Sequence, residues 1–462
     1  MVFSSLTFLF LFLPLNLLLY FATGNLTFRN IVLVVFSLIF YAWGEPFWIL
    51  LLLFSAFFDF FNGRAIEAAT NVSKKRLFLT LSVVVNLGLL VVFKYSGFIY
   101  DNLNLIFQLP FQRPENTLPI GISFYTFQTL SYVIDVYRGD VKAQKSPLKF
   151  LMFVSLFHQL VAGPIVRYKT IEKDIERRNI DWQRFGYGVQ RFCFGLFKKV
   201  IIANTAGELV DYYLFEELSM HGSYGSLFGL FMFAVQIYFD FSGYSDMAIG
   251  LGRMFGFNYD ENFKHPYAAN SVTDFWRRWH ISLGTFFRDY VYIPLGGNRQ
   301  KQIRNLLVVW SLTGLWHGAS WNYVLWGLYF FVLLFLEKNL LLKIYGKIIK
   351  PFRILITLIL VVYGWSFFYF EDMNTFLDFN LSLFSGDISV SPILKQDIYQ
   401  NIFWLLLVLF LCIPWDEIVN LNLYINKNIL ALTNVVATVF LFLISVAYLV
   451  GSSYNPFLYF RF

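Results

Sequence analysis

The sequence predicts an all-α integral membrane protein that crosses the bilayer many times. Apolar residues make up 58% of the 462 residues and charged residues only 14%, whereas soluble domains average about 25% charged residues. Long apolar runs approach the roughly 20 residues that span a bilayer, for example 4–24, 78–93 and 435–450. These continuous runs are unlike the short alternating strands of a membrane barrel. We expect about 11–13 membrane helices, with re-entrant and interfacial helices, in one membrane domain covering residues 1–462.

The charged loops predict the orientation of the chain. Loops rich in Lys and Arg tend to stay on the cytoplasmic side, and four such loops occur, at 62–76, 138–149, 167–184 and 337–353. The acidic loop 371–397 follows one further span, so we expect it outside. The apolar segment 150–166 lies between two loops that both favour the cytoplasm. Either it enters and leaves the membrane on the same side, as its Gly163–Pro164 pair suggests, or one of the two flanking loops does not lie on the cytoplasmic side.

The positive charge is typical of a membrane protein rather than of a nucleic-acid-binding protein. The net charge is +7, the basic residues fall mainly in loops between apolar runs, and no DNA- or RNA-binding motif accompanies them. Cys193 and Cys412 are flanked by apolar residues, which favours buried thiols over a disulfide or metal site. The spacing of His, Cys and carboxylates matches no metal-binding motif. We therefore expect neither a nucleic-acid partner nor a bound metal.

The central stretch 236–300 departs most from simple spans. Asp240 and Asp246 lie within an otherwise apolar, helix-like run. Further along, Asp274 is a helix-start signal, and five residues then fall on one face of the expected helix: Trp276, Trp279, His280, Leu283 and Phe287. The other side of that helix would carry Arg277, Arg278 and Arg288. This distribution is typical of an interfacial helix with a wet, cationic side.

Two histidines are candidates for chemistry. His317 lies inside the apolar stretch 311–335, and His280 lies on the apolar face just described. A single buried histidine is usually a hydrogen-bonded core residue, but ionisable groups within a membrane are costly and indicate function. A neutral imidazole can take a proton from a hydroxyl that attacks a thioester or ester. A proton relay in a transporter remains an alternative, although no inverted repeat is visible.

Two long motifs carry a family resemblance. The stretches "WRRWHISLGTFFRDYVYIPLGGNR" (276–299) and "TGLWHGASWNYVLWG" (313–327) resemble the signature of the membrane-bound O-acyltransferase family. The resemblance is greatest to its bacterial branch, which O-acetylates alginate, peptidoglycan and cellulose. Further stretches similar to that branch run nearly from end to end: "MVFSSLTFLFLFLPL", "LPIGISFYTFQTLSYVIDVYRG", "QLVAGPIVRY", "QIYFDFSGYSDMAIGLGRMFGF" and "NPFLYFRF".

The resemblance implies a fold and an activity. Membrane helices would surround a funnel or tunnel, with His317 at the family's catalytic histidine position. His280 falls at a second position that often holds Asn, Asp or His in the family. Members of this branch move an acetyl group from a cytosolic donor, here expected to be acetyl-CoA as substrate with no bound cofactor. An extracytoplasmic esterase-like partner of the SGNH type then places it on a polysaccharide, so we expect a bacterial inner (cytoplasmic) membrane location.

Further residues are candidates for lining the donor path or tunnel. They are Asp240, Asp246, Trp276, Arg277, Arg278, Trp279, Arg288, Trp316 and Trp321, with Arg299 a further candidate at the cytoplasmic mouth. Each arginine is equally well explained as an ordinary positive-inside anchor. Two functions compete with acetyl transfer: D-alanyl transfer to teichoic acid from a carrier protein, and transport or flipping of polysaccharide precursors. The sequence leaves open which polymer is acetylated.

Overall fold

The fold is helical, as the sequence predicts. A computed structural model describes the chain apart from residues 109, 162, 217–221, 342–344, 346, 388, 419–426, 453–457 and 459–462. Throughout these described residues, every regular element is a helix. The prediction of an all-α polytopic membrane protein is confirmed. The "NPFLYFRF" ending lies outside the described residues except for Leu458.

Six helices of the described chain are long and apolar enough to cross a membrane. They are Ile49–Ala68, Val72–Phe107, Gly222–Met254, Trp321–Leu340, Lys350–Tyr369 and Asn428–Gly451. A seventh span results if the bent pair Pro392–Gln400 and Ile402–Cys412 is counted as one. This number is below the 11–13 expected, because part of the apolar sequence forms shorter helices such as Phe8–Phe21 and Leu26–Ala42.

Shorter helices make up much of the rest of the described chain. The remaining α-helices are Ile122–Arg138, Pro147–Ser155, Phe157–Leu160, Tyr168–Glu176, Trp182–Phe197, Asn204–Val210, Val272–Arg278, Ile281–Phe287, Gln302–His317, Met373–Leu383 and Trp415–Ile418. Turns of π-helix extend several of them, at Phe8–Phe12, Val91–Tyr95, Lys198–Ala203, Asp211–Glu216, Arg288–Tyr292 and Glu337–Leu341, and a 3₁₀ turn covers Pro266–Ala268.

The expected loops are more helical than the charge pattern suggested. Helix Ile49–Ala68 continues into the basic segment 62–76, and Tyr168–Glu176 forms within 167–184. The acidic segment 371–397 contains helix Met373–Leu383. Charged side chains are tolerated on an exposed helix face, so a charged segment marks the end of a span without excluding a helix.

The chain divides into two compact units, and one of the three boundaries between them falls inside helix Gly222–Met254. The first unit comprises residues 1–192 and 244–260, and the second comprises 193–243 and 261–462.

In the first unit, helix Ile49–Ala68 packs against both Val72–Leu90 and Ile122–Arg138. A buried polar cluster joins the first two of these helices: the carboxylate of Asp59 accepts hydrogen bonds from the Ser82 hydroxyl at 2.5 Å and the Asn86 amide at 2.8 Å. Buried polar groups require such partners. The cluster therefore fixes the helices against one another.

The segment 150–166 of the first unit is broken, and its first break lies at Leu156, before the Gly163–Pro164 pair. Helix Pro147–Ser155 ends at a bend, and a single turn, Phe157–Leu160, follows. His158 in that turn is fully buried, and its Nδ1 lies 2.6 Å from the Tyr259 hydroxyl. Entry and exit of this segment on one side of the membrane stay a prediction.

In the second unit, helices Gln302–His317 and Trp321–Leu336 form a tight hairpin. Two glycines make their close contact possible. A Cβ on Gly314 would collide with the carbonyl of Tyr323, and one on Gly327 would collide with the carbonyl of Trp310. Helix Lys350–Tyr369 packs on the same hairpin. The unit's core is rich in aromatic side chains, with Trp326 and Trp365 almost fully buried.

Candidate active site

His280 lies at a break between two short helices, both in the second unit. Helix Val272–Arg278 begins at Ser271, whose hydroxyl caps the N–H of Asp274, and helix Ile281–Phe287 follows the break. The prediction of one continuous helix with His280 on its apolar face is wrong. His280 has φ of 43°, in the left-handed region, which an α-helix cannot contain.

The buried side chain of His280 is held on one edge by Asn262. Its Nδ1 lies 3.1 Å from Oδ1 of Asn262, and the ring of Phe241 meets it edge-on at 4.7 Å between centroids. Burial lowers the pKa of His280 to about 3 from its usual 6.5. The imidazole is therefore neutral at physiological pH, with one ring nitrogen free to accept a hydrogen bond.

His317 is the last residue of helix Gln302–His317, and the chain leaves the helix at Gly318. The apolar stretch 311–335 that contains His317 is not one continuous helix, because the non-helical residues 318–320 separate the two helices of the hairpin. The buried His317 ring lies edge-on to Trp326 at 5.1 Å and to Phe368 at 5.0 Å. Gly318 is required at the turn, since a Cβ there would collide with the ring of Tyr323.

One indole contacts both histidines. The ring centroid of Trp316 lies 6.0 Å from that of His280 and 5.0 Å from that of His317. The two histidines come from elements separated in sequence, and Trp316 brings them into one aromatic cluster. The structure therefore places the two predicted catalytic side chains in the same region of the second unit.

A cavity of about 490 Å³ adjoins His280. This volume falls within the range of small-molecule sites. Predicted site residues in its wall are Trp276, Arg277, Trp279, His280 and Arg288, and the wall also contains Thr313, one helical turn before His317, and Lys338. A second pocket of about 690 Å³ shares Arg288, Tyr292 and Asn298 with the first and adds Arg299. The cavity thus combines aromatic walls, a neutral imidazole and several cations.

Three predicted lining residues occupy other positions. Arg278 forms ion pairs with Asp274 at 3.0 Å and Glu417 at 3.2 Å. Trp321 is 56% exposed at the start of its helix. Trp316 contacts the two histidines, but it is not one of the described residues that line this cavity.

The two predicted aspartates each form a buried or partly buried ion pair. In the second unit, Asp240 lies 2.7 Å from Nζ of Lys199 and also accepts a hydrogen bond from the backbone N–H of Leu458. In the first unit, Asp246 lies 2.7 Å from Arg191. Charges this deeply buried require such partners, so each ion pair has a structural role.

Sequence reasoning did not identify two residues that support the His280 region. Asn262 contacts the histidine itself. Glu337, fully buried, accepts hydrogen bonds from the backbone N–H groups of Val272 at 2.7 Å and Thr273 at 3.1 Å. It thereby caps the helix that leads to His280. Glu337 lies some 60 residues from that helix in sequence, so no local pattern reveals the contact, whereas the polar Asn262 within "ENFKHPY" was a visible signal.

Comparison with known proteins identifies the family of the chain. The family model described as MBOAT, membrane-bound O-acyltransferase family, matches residues 36–379. The chain is 44% identical to a probable alginate O-acetylase AlgI of Pseudomonas aeruginosa, over 81% of this chain and 73% of that protein. It is 34% identical to a peptidoglycan O-acetyltransferase of Helicobacter pylori, over 82% and 78%. It is 30% identical to a teichoic acid D-alanyltransferase of Bacillus subtilis, over 50% and 62%.

The fold and these similarities define a multi-pass membrane enzyme that transfers acyl groups. The family resemblance carried by the motifs around His280 and His317 is confirmed. The chain belongs to the membrane-bound O-acyltransferase family.

Proposed function

We propose that this protein takes an acetyl group from acetyl-CoA in the cytosol and relays it across the membrane for O-acetylation of a polysaccharide. The observation that carries the proposal is the cavity in which His280 lies together with Arg277, Arg288 and Lys338. Coenzyme A is polyanionic, and cations at the mouth of a site attract and hold phosphates. The aromatic walls offer the acetyl thioester a surface with little water.

The chemistry requires a base and a desolvated path. As the acceptor hydroxyl attacks the acetyl carbon, an imidazole takes its proton, a C–O bond forms and the C–S bond breaks. The departing thiolate then takes the proton from the imidazolium, so the imidazole is regenerated. General-base assistance of this kind contributes roughly 10²–10⁴-fold to the rate. His317 is the proposed centre of this step, as base or as transient acetyl carrier, and the tryptophans exclude water that would hydrolyse the thioester.

The acceptor is proposed to lie outside the cytoplasmic membrane. A separate esterase-like partner of the SGNH type would receive the acetyl group there and place it on a cell-surface or secreted polysaccharide. The names of the two acetylating relatives, an alginate and a peptidoglycan enzyme, support a polysaccharide as the final acceptor. They leave the polymer itself open.

Reconstituted proteoliposomes test the proposal. Labelled acetyl-CoA is supplied on the cytoplasmic face only, and label is followed onto a hydroxyl acceptor confined to the opposite face, with His317→Ala as the inactive control. We expect label on the acceptor at the opposite face with the unaltered protein and none with His317→Ala. Label found only on acceptor that shares a compartment with the donor would contradict transmembrane relay.

The same vesicles separate the proposal from its two alternatives. Transfer from a carrier-protein D-alanyl thioester, with none from acetyl-CoA, would favour the teichoic acid reaction. Movement of an intact polysaccharide precursor without any acyl transfer would favour a transporter.

A further inference from the structure

Asn262 is a fully buried residue whose position fixes the hydrogen atoms around His280. Its side-chain Oδ1 accepts hydrogen bonds from the backbone N–H of Ser282 at 3.2 Å and from the Ser282 hydroxyl at 2.8 Å. A backbone N–H can only donate. The atom of Asn262 that faces this group is therefore its carbonyl oxygen, not its amide nitrogen.

The same oxygen lies 3.1 Å from Nδ1 of His280. A carbonyl oxygen can only accept, so Nδ1 must carry the hydrogen. The Ser282 hydroxyl, 3.4 Å from Nδ1, gives its own hydrogen to Asn262 and can also only accept here. Both polar atoms beside Nδ1 are therefore acceptors.

A neutral imidazole carries one hydrogen only, so the lone pair then lies on Nε2. We infer that Asn262 is a positioning residue that holds His280 as its Nδ1–H tautomer and thereby presents Nε2 to the site as a hydrogen-bond acceptor. The assignment of Nε2 as an acceptor during acyl transfer rests on the proposed function. The tautomer itself does not.

Asn262 also fixes the backbone at the break. Its carbonyl accepts the N–H of Ile281 at 3.0 Å, immediately after His280. Side chain and main chain of one residue therefore hold both the imidazole and the left-handed turn that carries it. A positioning residue of this kind removes the need to orient the His280 imidazole during the reaction.

The surroundings of the ring favour the neutral form. Among the described residues, the rings packed on it include Phe241 and Trp316, which carry no charge. The charged groups that share its cavity wall are Arg277, Arg288 and Lys338, all cations. Cations and burial both oppose a second proton on the imidazole, and burial holds its pKa low.

The tautomer is tested directly by ¹⁵N NMR of histidine-labelled protein in detergent or bilayers, with the His280 signals assigned by their loss in His280→Asn. We expect Nδ1 protonated and Nε2 unprotonated at neutral pH. In Asn262→Leu we expect the two tautomers to mix. A protonated Nε2 in the unaltered protein overturns the inference, whether or not acetyl transfer is observed.

Kinetics of acetyl transfer from acetyl-CoA provide the second readout. Asn262→Leu should lower kcat on the order of 10²-fold, with KM for acetyl-CoA changed by less than about twofold. Asn262→Asp keeps an acceptor beside Nδ1 and should retain most of kcat. Its carboxylate raises the affinity of the imidazole for protons, so the acidic limb of the pH profile should move up by about one unit.

Asn86→Ala is the matched control, since Asn86 is an equally buried amide in the first unit. It should lower stability without moving the pH profile. An Asn262→Asp profile identical to that of the unaltered protein, or an Asn262→Leu kcat within about twofold of it, would show a merely structural role and overturn the inference.

Discussion

At the scale of single residues, Trp316 shows how the site joins two parts of the sequence. Its indole contacts the imidazoles of His280, at the break between two short helices, and of His317, at the end of helix Gln302–His317. The sequence predicted both histidines because polar groups are rare among apolar neighbours. It could not predict Glu337 as a support of the His280 region, since that contact joins residues far apart in the chain.

We expect His317→Ala to abolish polymer acetylation while the protein still inserts and accumulates. Loss of the base removes about 10²–10⁴-fold in rate, whereas the cavity wall is left intact. O-acetyl content of the polymer in a deletion strain complemented with the variant measures this. His265→Asn is the control, because it removes an imidazole outside the cavity wall and keeps a residue that tolerates the left-handed backbone there. Normal acetylation by well-expressed His317→Ala would refute the assignment.

The Lys199–Asp240 ion pair leads to a prediction about stability. Lys199→Met leaves a buried carboxylate without its main cation and should cost about 3–5 kcal/mol. Adding Asp240→Asn should recover much of that loss, because the charge is then removed as well. Thermal unfolding in detergent of both single variants and of the double variant gives the interaction free energy between the two side chains. Additive losses would show that the two side chains do not stabilise one another.

At the scale of elements, helical structure was predicted correctly, whereas the breaks at His280 and at residues 318–320 were not. Periodicity over 274–287 suits one helix, yet the chain turns at His280 because Asn262 holds the backbone there. The apolar stretch 311–335 likewise suits one span, yet it divides at residues 318–320. Hydrophobic patterns report which side chains are buried, whereas these breaks depend on contacts with distant residues.

The hairpin of helices Gln302–His317 and Trp321–Leu336 should not tolerate side chains at its crossing. Gly327→Val would push its new carbons into the backbone of Trp310, which should cost about 1–3 kcal/mol and displace His317. Both stability and acetyl transfer should fall. Gly88→Ala is the control, since no atom lies within 4 Å of its new carbon and alanine favours a helix. Unchanged activity in Gly327→Val would mean that the helices are not held this closely.

At the scale of the whole molecule, composition was enough to predict an all-α, multi-pass membrane protein. The number of spans was less predictable. Runs such as 4–24 are apolar enough to span, but the structure forms shorter helices there. The length of an apolar run in the sequence shows how many residues could lie in the bilayer. The length of the helix formed there also depends on where its backbone bends.

The orientation of the chain in the bilayer is a prediction about the whole molecule. Residues 167–184 should be cytoplasmic and residues 371–397 extracytoplasmic, on the charge asymmetry of the loops. The test introduces Asn179→Cys or Ser389→Cys, both at exposed positions, after replacement of Cys193 and Cys412. A membrane-impermeant maleimide applied to intact cells should label only the cysteine at 389, and inverted vesicles should reverse the pattern. Labelling of both from one side would mean that the span count is wrong by one.

The left-handed backbone of His280 has a consequence for the evolution of this position. Apart from glycine, the residues that most readily adopt a positive φ are Asn, Asp and His. The backbone conformation therefore limits which residues can replace His280, whatever chemistry the position performs. Saturation mutagenesis at 280, scored by folded yield rather than activity, should rank Gly, Asn and Asp well above Val, Ile and Thr. Natural sequences would then vary among a small set of residues at this site, even in relatives that transfer a different acyl group.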